Sequence, residues 1–365
     1  MSDARPTYWD YLKLDQLLSL QGGLDDDETR LPPDELHFII VHQVFELWFK
    51  LVLRELRLAR DHLAAPRVPE ESVPYVVHHL RRVNQILRLA VGQFQVMETL
   101  TPQDFLAFRD KLVPSSGFQS FQMRELEMVL GLREEQRVLY GTTAPLEHIR
   151  DLAQGSPGGA GAWGRVEAAQ REQSLREALH AWLYRTPIQG SGPEDALDTS
   201  TVDQFLSDYL NVIDGQHRAQ GDQMSSALGA GAARARFEAA TALARTFLYA
   251  EDVPEADRVR MRRVRAGLVF IESYRELPLL AWPRLLIDTV VELEENMVLW
   301  RTHHARMVER VIGRRVGTGG SSGVEYLDQT TRLRVFTELW TVRTLLVRKD
   351  ALPPLQRPEF YGFAS

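Results

Sequence analysis

The chain has 365 residues, 44% of them hydrophobic and 25% charged, with 43 basic against 50 acidic side chains and a formal charge of −7. Those proportions fit a globular chain with a sizeable core and leave no basic surplus to hold a nucleic acid. The lack of any cysteine excludes disulfides, thiolate nucleophiles, zinc–cysteine sites, iron–sulfur clusters, thiolate-ligated haem and covalent c-type haem.

The opening MSDARPTYWDYLKLDQ carries charge throughout and has no apolar core, so it does not read as a secretory signal. No stretch approaches eighteen uncharged apolar residues, so no membrane span is expected and a cytoplasmic protein is the default. Tyr8 and Tyr11 stand three apart with Leu12 beside them, as an anchor on a partner or a pocket wall.

After the breakers Pro32 and Pro33, with Asp34 as N-cap, helical periodicity runs to Leu63. Within DELHFIIVHQVFELWFK, His42 shares a helical face with Phe38, Phe45 and Phe49. An imidazole among phenyl rings is either a core histidine with a satisfied partner or a polar group placed in an apolar pocket. A second helix is expected over Val73 to Glu98. A third opens at TPQDFLAFRDKL, with Thr101 as N-cap, Pro102 at the first helical position and Asp104 at the third. It carries Arg109, one turn after Phe105 and beside Phe108. A guanidinium there is costly to bury without an anion and is shaped for a carboxylate. A surface arginine with a buried stem is the alternative.

VPSSG, Val113 to Gly117, breaks that helix, and FQSFQMRELEMVLGL resumes it. AQGSPGGAGAWG, Ala153 to Gly164, reads as a flexible surface loop, and QGSGPED from Gln189 as a second. Helices are expected at about 165–185, 201–218, 230–250 and 256–275, then over Pro283 to Ile312 and Tyr326 to Val347. The run RVRMRRVR, Arg258 to Arg265, reads first as a solvated face. Strand-like alternation is scarce and no composition shift divides the chain, so one all-α domain over 1–365 is expected.

The penultimate long helix contains MVLWRTHHARMVERVIG. Helical spacing puts His304 with Met297, Trp300, Met307, Val308 and Val311 on an apolar face. His303 falls with Asn296, Leu299, Arg306 and Arg310. A lone imidazole on an apolar face suits a haem iron or a core histidine bonded to a carbonyl. The following GRRVGTGGSSG can expose amides to an anion, but no lysine follows its last glycine and a helix precedes it, so it is not a Walker loop. It is either a flexible connection or an ordered lid offering Thr318, Ser321 and Ser322.

YWDYLKLDQLL, DELHFIIVHQVFELWFK, DFLAFRDKLVPSSGFQSFQMR, WRTHHARMVERVIG and GTGGSSG stand in the order and spacing of tryptophan 2,3-dioxygenases. The resemblance extends from about Thr7 to Pro354. It implies an all-α fold of the histidine-ligated haem dioxygenase type. It also implies haem b as cofactor, L-tryptophan and O₂ as substrates, and a homotetramer with no nucleic-acid or membrane partner. By that resemblance His304 is the axial ligand of the haem iron, with Ser116, Gly117 and Trp300 beside the cofactor. His42 meets the indole nitrogen, and Phe38 and Phe105 wall the indole. Arg109 clamps the substrate carboxylate and Thr318 meets its polar end. Tyr8, Tyr11 and Leu12, within an N-terminal segment over 1–30, reach a neighbouring subunit's pocket. Two positions depart from the pattern: Phe105 lacks the hydroxyl that some bacterial relatives carry as tyrosine, and Glu309 stands where relatives often have a second histidine. The implied reaction gives N-formyl-L-kynurenine, the first step of tryptophan breakdown by the kynurenine route. A haem monooxygenase forming an oxindole, and a non-catalytic haem sensor or scaffold, are the competing readings.

Overall fold

Prolines and polar caps set where the helices begin. The computed structural model describes residues 5–139, 144–320 and 322–362. In chain order its α-helices are α1 (Tyr8–Leu12), α2 (Leu14–Leu17), α3 (Pro33–Ala64), α4 (Ser72–Met97) and α5 (Pro102–Leu112). They continue with α6 (Phe121–Leu130), α7 (Pro145–Gln154), α8 (Gly159–Arg171), α9 (Leu175–Arg185) and α10 (Asp198–Leu228). The last are α11 (Ala230–Leu248), α12 (Glu255–Ser273), α13 (Ala281–Ile312), α14 (Val324–Thr330) and α15 (Thr337–Leu345). Among the described residues there is no strand, only an isolated bridge between Ile188 and Ser191. The all-α expectation holds.

The centre is a layer in which α4 packs against both α3 and α13, with α6 and α9 closing the other side of α3. Leu56, Val76, Leu80, Val83, Leu286 and Val290 are fully buried there. Each such side chain contributes about 1.5–3 kcal/mol. These two 32-residue helices, α3 and α13, are therefore rigid rails for whatever their middles carry. By length and composition alone α3 is apolar enough to cross a membrane, a test that the core helix of a globular protein also passes. Its charged residues speak for a core helix instead: the buried Glu35 carboxylate is paired with Lys111, and the buried Glu55 with His79 and Arg82.

Several local expectations are corrected. Helix α3 starts at Pro33 with Pro32 as its cap, so Asp34 lies in the first turn, where its charge suits the helix dipole. The cap of α5 is as expected, Thr101 Oγ1 accepting from Asp104 N at 3.2 Å. The Gly/Ala segment is not a loop throughout, because α8 begins at Gly159. Alanine is the best helix former, and the segment gains a docking face: Val166 and Ala169 are buried, while Arg165 lies over the Phe121 ring and pairs with Glu125. The helix expected over 165–185 is two, restarted at Ser174 by a capping box with Glu177. That expected over 326–347 is also two. The buried Glu294 carboxylate accepts from Val335 N, Phe336 N and Trp340 Nε1, and so holds the break between α14 and α15. The basic run is solvated only at its start: Arg263 pairs with Asp198 at 2.9 Å and Arg265 with Asp252, both arginines buried.

Candidate active site

The N-terminal half of α3, the body of α5, the start of α6 and the C-terminal half of α13 enclose a cavity of about 440 Å³. It sits within the range of small-molecule and cofactor sites, and its wall is mostly apolar, as such sites are. Phe38, His42, Phe105, Arg109, Ser116, Gly117, Trp300, His304 and Thr318 all line it. Residues separated by more than 260 positions are thus brought to one space.

His42 is held by its own helix. Its Nδ1 lies 2.8 Å from the Phe38 carbonyl oxygen. A carbonyl only accepts, so Nδ1 carries the proton and Nε2 is left with a lone pair. Burial lowers the pKa of the ring, which keeps it neutral. The Phe38 ring lies 4.0 Å from it, centroid to centroid, and 5.9 Å and 5.6 Å from those of Phe105 and Phe108. The sequence alternatives for His42 merge here: the ring is satisfied at one nitrogen, in the manner of a core histidine, and offers the other as a hydrogen-bond acceptor.

On α13 the two adjacent histidines part as helical spacing predicts. His303 is exposed, whereas His304 faces the cavity, with its ring 5.1 Å from Trp300 and stacked 5.8 Å from Phe94. Among the described residues no hydrogen bond ties either of its ring nitrogens. Burial, then the neighbouring His42 and Arg124, push its pKa down to about 4. A neutral imidazole with an untied nitrogen has the lone pair that metal ligation requires. Among the described residues no cluster of three metal-ligating side chains occurs. A single histidine suits haem iron, whose porphyrin brings four ligands of its own. Chemistry and space fit that cofactor.

The glycine-rich connection after α13 is an ordered wall. Arg109 Nη2 donates to Val316 O at 2.6 Å, and Thr318 Oγ1 donates to Ser115 O at 2.6 Å. Gly323 needs its missing side chain, since φ is +63° and a Cβ would stand 2.7 Å from Arg315 O. Arg109 Nε is buried without an acceptor, so this guanidinium is only partly used. Ser322 is exposed, and Ser321 lies outside the described residues.

Tyr8, Tyr11 and Leu12 do not reach this cavity; they are 71%, 77% and 42% exposed on α1. Glu309 pairs with Arg306 at 2.7 Å, away from any ligand role. Sequence reasoning missed a charged part of the wall: Arg124, Glu127 and Arg301. Arg124 meets Glu127 at 3.0 Å, and Glu127 also binds Arg137. Spaced three apart, Arg124 and Glu127 look in sequence like an ordinary surface pair.

A family model described as tryptophan 2,3-dioxygenase matches residues 1–346. The chain is 49% identical to "Tryptophan 2,3-dioxygenase 2" of Ralstonia nicotianae over 98% of both chains. It is 48% identical to "Tryptophan 2,3-dioxygenase" of Sorangium cellulosum, over 98% of this chain and 87% of that one. A more distant relative of the same name, from Dictyostelium discoideum, is 32% identical over 96% of this chain and 86% of its own.

Proposed function

The chain belongs to the tryptophan 2,3-dioxygenase family, and from that membership and the cavity together we propose that it oxidises L-tryptophan to N-formyl-L-kynurenine, adding both atoms of O₂ across the indole C2–C3 bond. The observation that carries the proposal is the pairing in one cavity of a neutral, unbonded His304 with a neutral His42 whose Nε2 is an acceptor.

In this reading His304 holds the iron of haem b, with Ser116, Gly117 and Trp300 beside the macrocycle. When bound there, haem would supply the activation of O₂ that oxidation of the indole requires. His42 Nε2 accepts the indole N–H, which fixes the edge that reacts, while its Nδ1–H stays on the Phe38 carbonyl. Because Nε2 is unprotonated at neutral pH, the ring orients the substrate without first losing a proton. Phe38 and Phe105 exclude water from the indole face. At the other end of the substrate, Arg109 keeps Nη2 on Val316 O and offers its remaining N–H groups to the carboxylate. Thr318 exchanges the Ser115 carbonyl for the amino-acid head group. Phe105 adds no hydroxyl, so the carboxylate rests on Arg109 and the loop alone.

The exposed aromatic N-terminus fits a homotetramer in which Tyr8, Tyr11 and Leu12 border a neighbour's cavity; a cytoplasmic location completes the proposal. The decisive experiment is the mass of the product formed by haem-loaded protein from L-tryptophan under ¹⁸O₂. Two labelled oxygens are expected. One labelled oxygen would make it an oxindole-forming monooxygenase, and none would leave a haem-binding protein without this activity.

A further inference from the structure

In the proposed reaction the two ends of the substrate are held by different helices. Phe38 and His42 on α3 take the indole, and Arg109 on α5 takes the carboxylate. Whatever sets the distance between α3 and α5 therefore sets the span of the site. Helix α5 has 11 residues and buries only Phe105 and Phe108. Both rings meet the Phe38 ring, which fixes proximity but no register, because apolar packing is non-directional.

A directional contact lies at one end of this aromatic group. Lys111 Nζ donates to Glu35 Oε2 at 2.8 Å, and among the described residues this is the only hydrogen bond or ion pair between α5 and α3. Glu35 is 5% exposed, and among the described residues it has no other cation within 4.0 Å. A carboxylate buried with a single partner is costly to leave unpaired, which separates this pair from exposed ones of little consequence. Helical spacing sets Glu35 on the same face as Phe38 and His42, and Lys111 one turn after Phe108. Both charges also suit their helix ends, since Glu35 is in the first turn of α3 and Lys111 in the last turn of α5. Directly beyond Lys111 the chain supplies Leu112, Ser115, Ser116 and Gly117 to the cavity wall, and Ser115 O accepts from Thr318. Neither Glu35 nor Lys111 belongs to that wall.

We propose that Glu35 and Lys111 are positioning residues for the reaction, a strut that holds the C-terminal end of α5 at a fixed distance from the start of α3. The strut matches the gap between His42 and Arg109 to the length of tryptophan. The proposal rests on the function proposed above and adds how this chain sets the span of its site. Loosening the strut penalises a ligand that must reach both ends and spares one that occupies the indole end alone.

The test uses the full-length haem-loaded protein as wild type, Lys111→Met, Glu35→Gln, the double variant and Lys111→Arg. KM for L-tryptophan is measured beside the inhibition constant of 3-methylindole, which lacks the amino-acid head. In each charge-removing single variant KM should rise about fivefold or more, the worth of one ion pair, while the 3-methylindole constant stays within about twofold. The double variant should be no worse than the worse single, because both changes remove the same contact. Lys111→Arg should keep most of the wild-type KM. Hydrogen exchange supplies a readout that needs no turnover: amides of α5 should exchange faster in Lys111→Met, and those of α4 should not. An unchanged KM in Lys111→Met overturns the proposal, and so does unaltered exchange in α5. Equal losses for tryptophan and 3-methylindole, which a purely structural role would give, overturn it as well. If Glu35→Gln does not fold by circular dichroism, Lys111→Met at its exposed position still decides. Failure of the proposed function looks different, for then the wild type forms no formylkynurenine and the exchange of α5 alone decides on the strut.

Discussion

Acid should undo the apo-protein through His304 before it reaches the carboxylates. The ring's ordinary pKa of 6.5 falls to about 4 in the fold. The folded state therefore binds a proton less readily than the unfolded chain. Stability contributed by the neutral ring is complete above 6.5 and drains away as pH falls toward 4. At pH 5 the unfolded imidazole is almost wholly protonated and the folded one scarcely so, which amounts to about 2 kcal/mol, rising to about 3 kcal/mol at the end of the window. The carboxylates held down by arginines, the buried Glu127 and the half-buried Glu172 among them, act only at lower pH, because their unfolded value is 4.5. His42 shifts in the same direction and adds to the slope. The measurement is the urea midpoint of apo-protein between pH 7 and pH 4.5, wild type against His304→Leu. The variant should start close to the wild type or below it at pH 7 and lose less on acidification. Haem should flatten the wild-type curve, since iron and proton compete for one nitrogen. Parallel curves for wild type and variant would refute the assignment of this acid sensitivity to His304.

Arg109→Lys keeps the charge but loses the fork, so KM for L-tryptophan should rise about tenfold or more. Turnover of tryptamine, which has no carboxylate, should hardly change, and steady-state kinetics with both substrates check the difference. Gly323→Ala forces a side chain into a left-handed backbone 2.7 Å from Arg315 O, so it should raise KM while leaving the Soret band of bound haem intact. Glu294→Gln removes the charge that accepts from Val335 N, Phe336 N and Trp340 Nε1, and should cost about 2–4 kcal/mol in chemical denaturation. An unchanged midpoint would mean that the α14–α15 break does not depend on that carboxylate.

Helical period alone separated His304 from His303 and joined His42 to Phe38, because a face on a long rigid helix is decided by spacing. The same rule could not say which face of α5 or α13 looks into a cavity. That depends on what packs opposite, which a single chain does not state. The wall of Arg124 and Arg301 was hidden for a related reason. Arginine beside glutamate is the commonest pattern of a solvated helix, and only tertiary burial turns it into part of a cavity wall. At α8 composition misled in the other sense. Glycine and alanine both look like low complexity, yet alanine propagates a helix once Val166 and Ala169 have a partner to bury against. The basic run after Arg258 carried its own warning, since its last arginines are followed directly by the apolar AGLVFI.

The two cavity histidines show why neutrality, more than identity, is the useful property. A protonated His42 would present a donor to the indole N–H and repel it; a protonated His304 would have no lone pair for iron. Burial secures neutrality for both, and His42 further disfavours a charge on His304. The carbonyl of Phe38 then decides which nitrogen of His42 faces the cavity as an acceptor. His304 has no such partner: among the described residues no hydrogen bond ties its ring nitrogens. Arg124 adds to the same end, since its charge also opposes a proton on His304. Removing that charge with Arg124→Met should therefore let the His304 pKa drift upward in the apo-protein, narrowing the acid window at its lower edge. An NMR titration of the His304 ring in wild type and variant reads this directly, and a shift in the opposite direction would break the link between the charged wall and the ligand.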